Sequence, residues 1–460
     1  MSQETPSREQ WNSRLGFILA ATGSAIGLGN IWKFPFVTGE YGGAAFVLVY
    51  LICIVVVGFP VMLIEFSMGR HTQRNPVGAY ATIAGRKSVW IWAGGLGVLA
   101  GFVILSYYSV VAGWCLAYIV KAFSGSFSTY AQPAHAGHAF ETFVGQTGWV
   151  LFYHFTFMVL CVAIVTRGIR SGIEKASRLL MPTLLLILLL LVIRGLLLPG
   201  AGAGLKYLFQ PDFSKLSGEA VLVALGHAFF TLSLGMGAMI TYGSHIPKRD
   251  DLIGSTILVM LLDTGIALLA GIAIFTSVFA YDLDPQGGPG LIFHVLPVVF
   301  GKMPMGTLFA VLFFVLLSIA ALTSGISLLE VVTSYVVDEK GWDRKIATLV
   351  FGGVIFLLGI PSALSFGVWA DIKLGEWTLF DFFDYVSFKY MLPLGGFLSI
   401  LFVLNSWKVN HFLDELKEGS KWTLVRLVNC VLVLVATLIV VVFLSELGFF
   451  AWLFGKPQAA

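Results

Sequence analysis

"ATGSAIGLGNIWKFP", residues 21–35, lies inside the first apolar segment of the chain. Gly23, Gly27 and Gly29, with Gly39 close behind, are poor choices for a continuous helix, because each interior glycine costs about 1 kcal/mol relative to alanine. Polar side chains and a closing lysine and proline add to the conflict with a lipid-spanning helix. The stretch predicts a break in the helix. Broken backbone at membrane depth is tolerated only where it lines a site or is buried in protein.

The rest of the chain sets that break in a membrane. Its 460 residues are 58% hydrophobic and only 12% charged, where soluble proteins average roughly 25% charged. Apolar runs long enough to cross a hydrocarbon core of about 30 Å begin near residues 13, 44, 90, 148, 176, 217, 252, 304, 345, 377 and 423. The expectation is therefore an all-α membrane protein of 11 transmembrane helices. Most of the 28 lysines and arginines fall on one side of it, among them Arg70, Arg74, Arg86, Lys87, Lys248, Arg249, Lys421 and Arg426. The positive-inside bias puts the N-terminus in the cytoplasm, the C-terminus outside, and the protein in the cell inner (plasma) membrane. The polar opening "MSQETPSREQW" does not have the pattern of a cleavable signal.

The net charge of +3 is spread over short loops, so no nucleic-acid partner is expected; the partners are the lipid bilayer and a small solute, with no obligate protein partner evident. Cys53, Cys115, Cys161 and Cys430 sit in apolar runs and read as core residues. His135 and His138 lack a third metal ligand. Glu65 in "IEFSMGR" has no nucleophile or paired acid beside it, so a structural part near the breaks is expected and no enzyme activity.

A second apolar segment, "GHAFFTLSLGMGAMITYGSHIP" at 226–247, is interrupted in the same way by Ser233, Gly235 and Gly237. Interruptions at matching places in two five-span halves point to a transporter built from inverted repeats, with its site at the breaks. The division expected is one polytopic domain, 1–460, with a first repeat over 1–210, a second inverted repeat over 211–410, and the eleventh span and C-terminus in 411–460. Spacing alone leaves open that the glycines serve close helix packing instead.

"RLGFILAATGSAIGLGNIWKFPF", "YGGAAFVLVY", "FPVMLIEFSMGR", "SYYSVVAGW", "FFTLSLGMGAMITY" and "AALTSG" together resemble the neurotransmitter:sodium symporter family over essentially the whole chain, and its bacterial amino acid branch above all. The resemblance implies the LeuT-type fold, an inverted 5+5 repeat with discontinuous helices 1 and 6, and sodium-coupled symport of an amino acid by alternating access. Two sodium ions and no organic cofactor are implied. The first ion would meet Ala25, Asn30, Thr231 and Asp263 together with the substrate carboxylate. The second would meet Gly23, Ile26, Ala320, Thr323 and Ser324. Oxygen shells of this kind suit a hard monovalent cation.

Monoamine members carry an aspartate at the position of Gly27, so a substrate bringing its own carboxylate is implied, held near Leu28, Gly29 and Tyr108, with its amine on carbonyls of Ala25, Phe230 and Thr231. Its side chain would lie among Ile104, Val111, Phe230, Ser233, Met236, Gly325 and Leu328. This set is uncharged, Met236 is adaptable and Gly325 is expected to leave volume free, so hydrophobic and aromatic L-amino acids are expected. Lys33 with Asp384 would form an outer gate under which Phe230 is the lid; Arg8 with Asp338, beside Trp11, would form the cytoplasmic one.

Three positions depart from the family pattern. Asp263 replaces an asparagine, His227 a glutamine, and Ala267 a serine or acidic residue, which implies independence from chloride and a proton site at Asp263 once sodium leaves. Gly172 and Pro182 resemble a family motif whose helix unwinds on the cytoplasmic side. The alternatives are a transporter of another small solute, or a non-transporting channel or sensor on the same scaffold.

Overall fold

A computed structural model describes residues 8–130, 132–285, 291–419 and 428–446. Its main helices are α1 (Arg14–Ala25), α2 (Gly29–Glu40), α3 (Ala44–Thr72), α4 (Ile91–Phe123), α5 (Thr147–Val165), α6 (Ile169–Leu196), α7 (Gly218–Thr231), α8 (Ala238–Gly243), α9 (Leu252–Ala280), α10 (Gly306–Lys340), α11 (Arg344–Leu364), α12 (Leu379–Trp407) and α13 (Val428–Glu446). Among the described residues, eight of these are long and apolar enough to cross a membrane, and the bent pair α1–α2 makes a ninth. The shorter α7–α8 pair and α13 stand where the sixth and eleventh spans are expected. Residues 420–427, with Lys421 and Arg426, residues 286–290 of the "DPQGGPG" connection and residues 447–460 lie outside the described residues.

Both expected breaks are present. Ser13 caps α1 by accepting from the Gly16 amide, and the helix ends when Ile26 turns extended, at φ −75° and ψ 101°. The chain resumes as α2 after a bend of 47°. At the other break Ser233, Gly235 and Gly237 all take positive φ, 53°, 76° and 75°, a region that glycine enters freely and other residues rarely. α1 packs against α8, and the first turn of α2 packs against α7. The opening half of one broken helix therefore lies beside the closing half of the other, so the two run antiparallel.

Around this pair, α4 and α10 pack along each other, α6 lies against α9 and α10, and α11 against α4 and α5. The outer face of α6 repeats an apolar residue every seventh position, Leu179, Leu186 and Ile193, all exposed. Such a surface is at rest only in lipid.

Some expectations shift. α6 is helical from Ile169, seven residues before the start read from hydropathy, because residues 169–174 form a wider π-type turn. Gly172 belongs to that turn, and a Cβ there would lie 2.2 Å from the Ile164 carbonyl oxygen. Connections between the long helices carry helices of their own, Pro133–Val144, Ala201–Phe209 and Leu291–Lys302. Cys115 and Cys161 are buried as expected, whereas Cys53 is half-buried and Cys430 exposed. An apolar run marks burial in the membrane and does not say which face meets the protein.

A tight helix crossing joins α3 to α8. A Cβ on Gly69 would lie 2.1 Å from the Ile240 carbonyl oxygen and 2.7 Å from the Ser244 amide nitrogen. Backbone leaves no flexible atom to yield, so Gly69→Ala is expected to destabilise the protein by about 2 kcal/mol or more, read as a lowered thermal unfolding midpoint of the detergent-purified protein.

Candidate functional site

The break between α1 and α2 exposes peptide groups that find partners on α2, α4, α10 and the α7–α8 break. The Gly27 amide donates to Asn30 Oδ1 at 3.1 Å, and the Leu28 amide to the Tyr108 hydroxyl on α4 at 3.2 Å. Gly27 is held against its neighbours so closely that a Cβ would lie 2.4 Å from Ser324 Oγ and 2.8 Å from the Tyr108 hydroxyl. An aspartate has no room there.

The carbonyls on the other side of the break face the α7–α8 break and α10. The Ser24 carbonyl accepts from Ser233 Oγ and Ser324 Oγ, each at 2.9 Å. The Ile26 carbonyl lies 3.4 Å from both Thr323 Oγ1 and Ser324 Oγ, and Thr323 Oγ1 also donates to the Ala320 carbonyl at 3.0 Å. A Cβ on Gly23 would touch Thr323. Five oxygen-bearing residues from two helices, Gly23, Ile26, Ala320, Thr323 and Ser324, are thus gathered in one buried place.

A second cluster forms where α2, α7 and α9 meet. Asn30 Nδ2 donates to Asp263 Oδ1 at 2.7 Å and to the Asp263 carbonyl at 3.1 Å, and Thr231 Oγ1 lies 3.2 and 3.3 Å from the two carboxylate oxygens. All three side chains are fully buried. The hydrogen-bond partners of Asp263 are neutral, and an ionised carboxylate buried without a cation is costly. Its donor set fits a bound cation.

Between the clusters lies a cavity of about 20 Å³, room for about one water. Ala25, Leu28, Gly29, Ile104, Tyr108, Phe230, Ser233, Met236 and Leu328 line it as expected, joined by Ser24, Gly27 and Ser324. No charged side chain reaches it. Val111, Thr231 and Gly325 do not line it. Thr231 turns its hydroxyl to Asp263. Gly325 faces α5, where a Cβ would lie 3.0 Å from Cys161 Sγ and from the Phe157 ring, so its missing side chain makes room for a neighbouring helix rather than for a ligand.

Residues 8–142 and 135–451 match the family model for the sodium:neurotransmitter symporter family. The chain belongs to that family. An uncharacterized sodium-dependent transporter of Bacillus subtilis (strain 168), YhdH, is 43% identical over 420 residues, which cover 91% of this chain and 92% of that one. A second, from Haemophilus influenzae (strain ATCC 51907), is 34% identical over 97% of this chain and all of its own. Among solved structures, that of MhsT in complex with L-phenylalanine aligns with a TM-score of 0.89 at 45% identity, over 95% of this chain and 100% of that one. The symporter is thus a multi-pass membrane transporter and not an enzyme, and its fold is the LeuT-type fold expected from its motifs.

Ion pairs form at both places named as gates. Lys33 Nζ lies 3.1 Å from both oxygens of Asp384, with the Phe388 ring centre 3.8 Å and the Phe230 ring centre 5.0 Å away. Aromatic faces attract the ammonium, so the pair and the Phe230 lid form one unit. At the other end Arg8 pairs with Asp338, and Trp11 donates from its indole to the Tyr242 carbonyl at 3.1 Å. Beside them Arg344 pairs with Glu330.

Several functional contacts are not legible in the motifs. Ser24 is part of the opening stretch, but its double role appears only once α7 and α10 are placed. His227 is buried between the rings of Phe34 and Tyr50, 5.9 and 5.2 Å away between centres, with neither ring nitrogen hydrogen-bonded to protein. His135 and His138 are exposed, and among the described residues no group of three His, Cys, Asp or Glu side chains is placed to hold a metal. Glu65 accepts from the Gly235 amide at 2.8 Å, supporting the second break from α3.

Glu65→Ala leaves that buried amide unpaired, at a cost of about 1–3 kcal/mol. The expected result is a lowered unfolding midpoint, with Glu65→Gln, which keeps an acceptor oxygen, recovering most of the loss in the same melt.

Proposed function

We propose that the symporter couples two sodium ions to the uptake of hydrophobic and aromatic L-amino acids by alternating access, without chloride. One observation carries the substrate assignment: the cavity is lined by apolar and hydroxyl groups, and at Gly27 there is no space for the acid that a carboxylate-free amine would need. A zwitterion supplies that charge itself. Its carboxylate would meet the first sodium ion, the Leu28 and Gly29 amides and the Tyr108 hydroxyl, and its amine the carbonyls of Ala25, Phe230 and Thr231. The bound L-phenylalanine of MhsT, at 45% identity, supports the same reading.

The first ion would be held by Ala25, Asn30, Thr231 and Asp263, and the second by Gly23, Ile26, Ala320, Thr323 and Ser324. Asp263 would supply the negative charge beside the first ion, removing the need for a halide, because opposite charges a few ångströms apart in a poorly solvated site attract strongly. Lys33 with Asp384, under Phe230, would close the outer path, and Arg8 with Asp338, beside Trp11, the inner one. Repeats 1–210 and 211–410 would rock about the site, with 411–460 outside the repeats. The setting proposed is the cell inner membrane, with a cytoplasmic N-terminus and the C-terminus outside.

Proteoliposomes with an inward sodium gradient test this. Labelled phenylalanine should accumulate above its outside concentration, and tryptophan and leucine should compete with it, while glycine, lysine and glutamate should not. Equilibration without accumulation would mark a pore. Exchanging external chloride for gluconate should change uptake less than twofold. Asp263→Asn should raise the sodium concentration for half-maximal uptake about tenfold or more, since it removes a full charge from the cation's surroundings.

A further inference from the structure

We infer that His245 is a proton-binding site of the cytoplasmic gate, through which acid on the inner side releases the N-terminal arm and favours the inward-open conformation. The inference rests on the alternating-access part of the function proposed above and not on the choice of substrate. His245 follows α8 directly and is 4% exposed. Its carbonyl accepts from the Trp11 amide at 3.0 Å, and its Nδ1 donates to the Glu9 carbonyl at 2.5 Å. The Trp11 ring stands edge-on to it at 6.1 Å. Both ends of this residue therefore hold residues 9–11 against the bundle. The same arm grips α6, whose Ile169 and Arg170 amides each donate to the Glu9 carboxylate at 3.1 Å.

Nε2 of His245 is buried with no hydrogen-bond partner in the protein. A proton there would add a positive charge to a place that already holds two guanidiniums, Arg8 of the arm and Arg344 at the start of α11. The acids of the region are committed elsewhere: Asp338 to Arg8, Glu330 to Arg344, and the Glu9 carboxylate to the α6 amides. Tyr242, the other titratable neighbour, offers its carbonyl to the Trp11 indole at 3.1 Å and to the His245 amide at 3.2 Å. Burial, and after it the charge of Arg8, hold the His245 imidazole well below its usual range.

The sign follows from linkage. In the closed gate His245 stays neutral; once the arm leaves, it meets water and regains an ordinary value of about 6.5. Closure is fully favoured above that value and weakens progressively as pH falls below it, toward the depressed value of the closed gate. The ratio of open to closed gate is expected to rise about tenfold between pH 7.5 and pH 5.5.

Hydrogen exchange of the full-length protein in nanodiscs with sodium and no amino acid reads this ratio at the Trp11 amide. After correction for intrinsic exchange, wild-type protection should fall about tenfold from pH 7.5 to 5.5, and His245→Asn should lose that dependence, changing less than twofold. Asp338→Asn should lower protection at both pH values and keep the tenfold fall. An equal fall in His245→Asn, or none in the wild type, overturns the inference. Should His245→Asn not fold, His245→Gln and the wild-type profile decide in the same way. No substrate enters the measurement, so a wrong substrate assignment leaves its outcome unchanged.

Discussion

A peptide group without a hydrogen bond is scarcely tolerable in hydrocarbon, and two helices of this chain give up their ladder in the middle of the protein. Everything near the centre answers that deficit. The Gly27 and Leu28 amides find Asn30 and Tyr108, the Gly235 amide finds Glu65, and the Ser24 and Ile26 carbonyls find hydroxyls at the α7–α8 break and on α10. The partners come from helices far apart in sequence, so the breaks draw the bundle together around themselves. A fold with continuous helices would need none of these side chains.

The same logic separates what the amino-acid sequence makes legible from what it does not. Positive φ at Gly235 and Gly237 and the close approach at Gly27 are properties of the residue type, and they mark the breaks before any coordinates are known. The cluster of Asn30, Thr231 and Asp263 is legible only through the family motifs, since no local pattern ties a residue of α2 to one of α9. Gly325 shows the limit. Its place one position after Ser324 suggests free volume beside a ligand, yet the way a Cβ points on α10 depends on the register against α5, where Phe157 and Cys161 wait. Hydropathy likewise marks where α6 enters lipid and not where its hydrogen bonding begins, which is why Ile169 precedes the apolar run.

The two ion-pair regions are held by different physics. On one side a lysine is 6% exposed and held by a carboxylate and two aromatic faces, within a single narrow layer. On the other, an extended arm is tied by backbone and side-chain hydrogen bonds to α8, α10 and the start of α6. The first rests on a few side chains. The second involves a length of chain with contacts to several helices at once.

The carbonyl oxygen of Ser24 has two lone pairs, and hydroxyls of Ser233 and Ser324 occupy both. That atom is therefore a rivet through three helices, saturated and with no valence to spare for a passing ion. The Ile26 carbonyl, two residues on, is held more loosely, with its two hydroxyl neighbours each 3.4 Å away. The interrupted turn thus divides its labour atom by atom: one oxygen fastens the framework while the other keeps only long contacts.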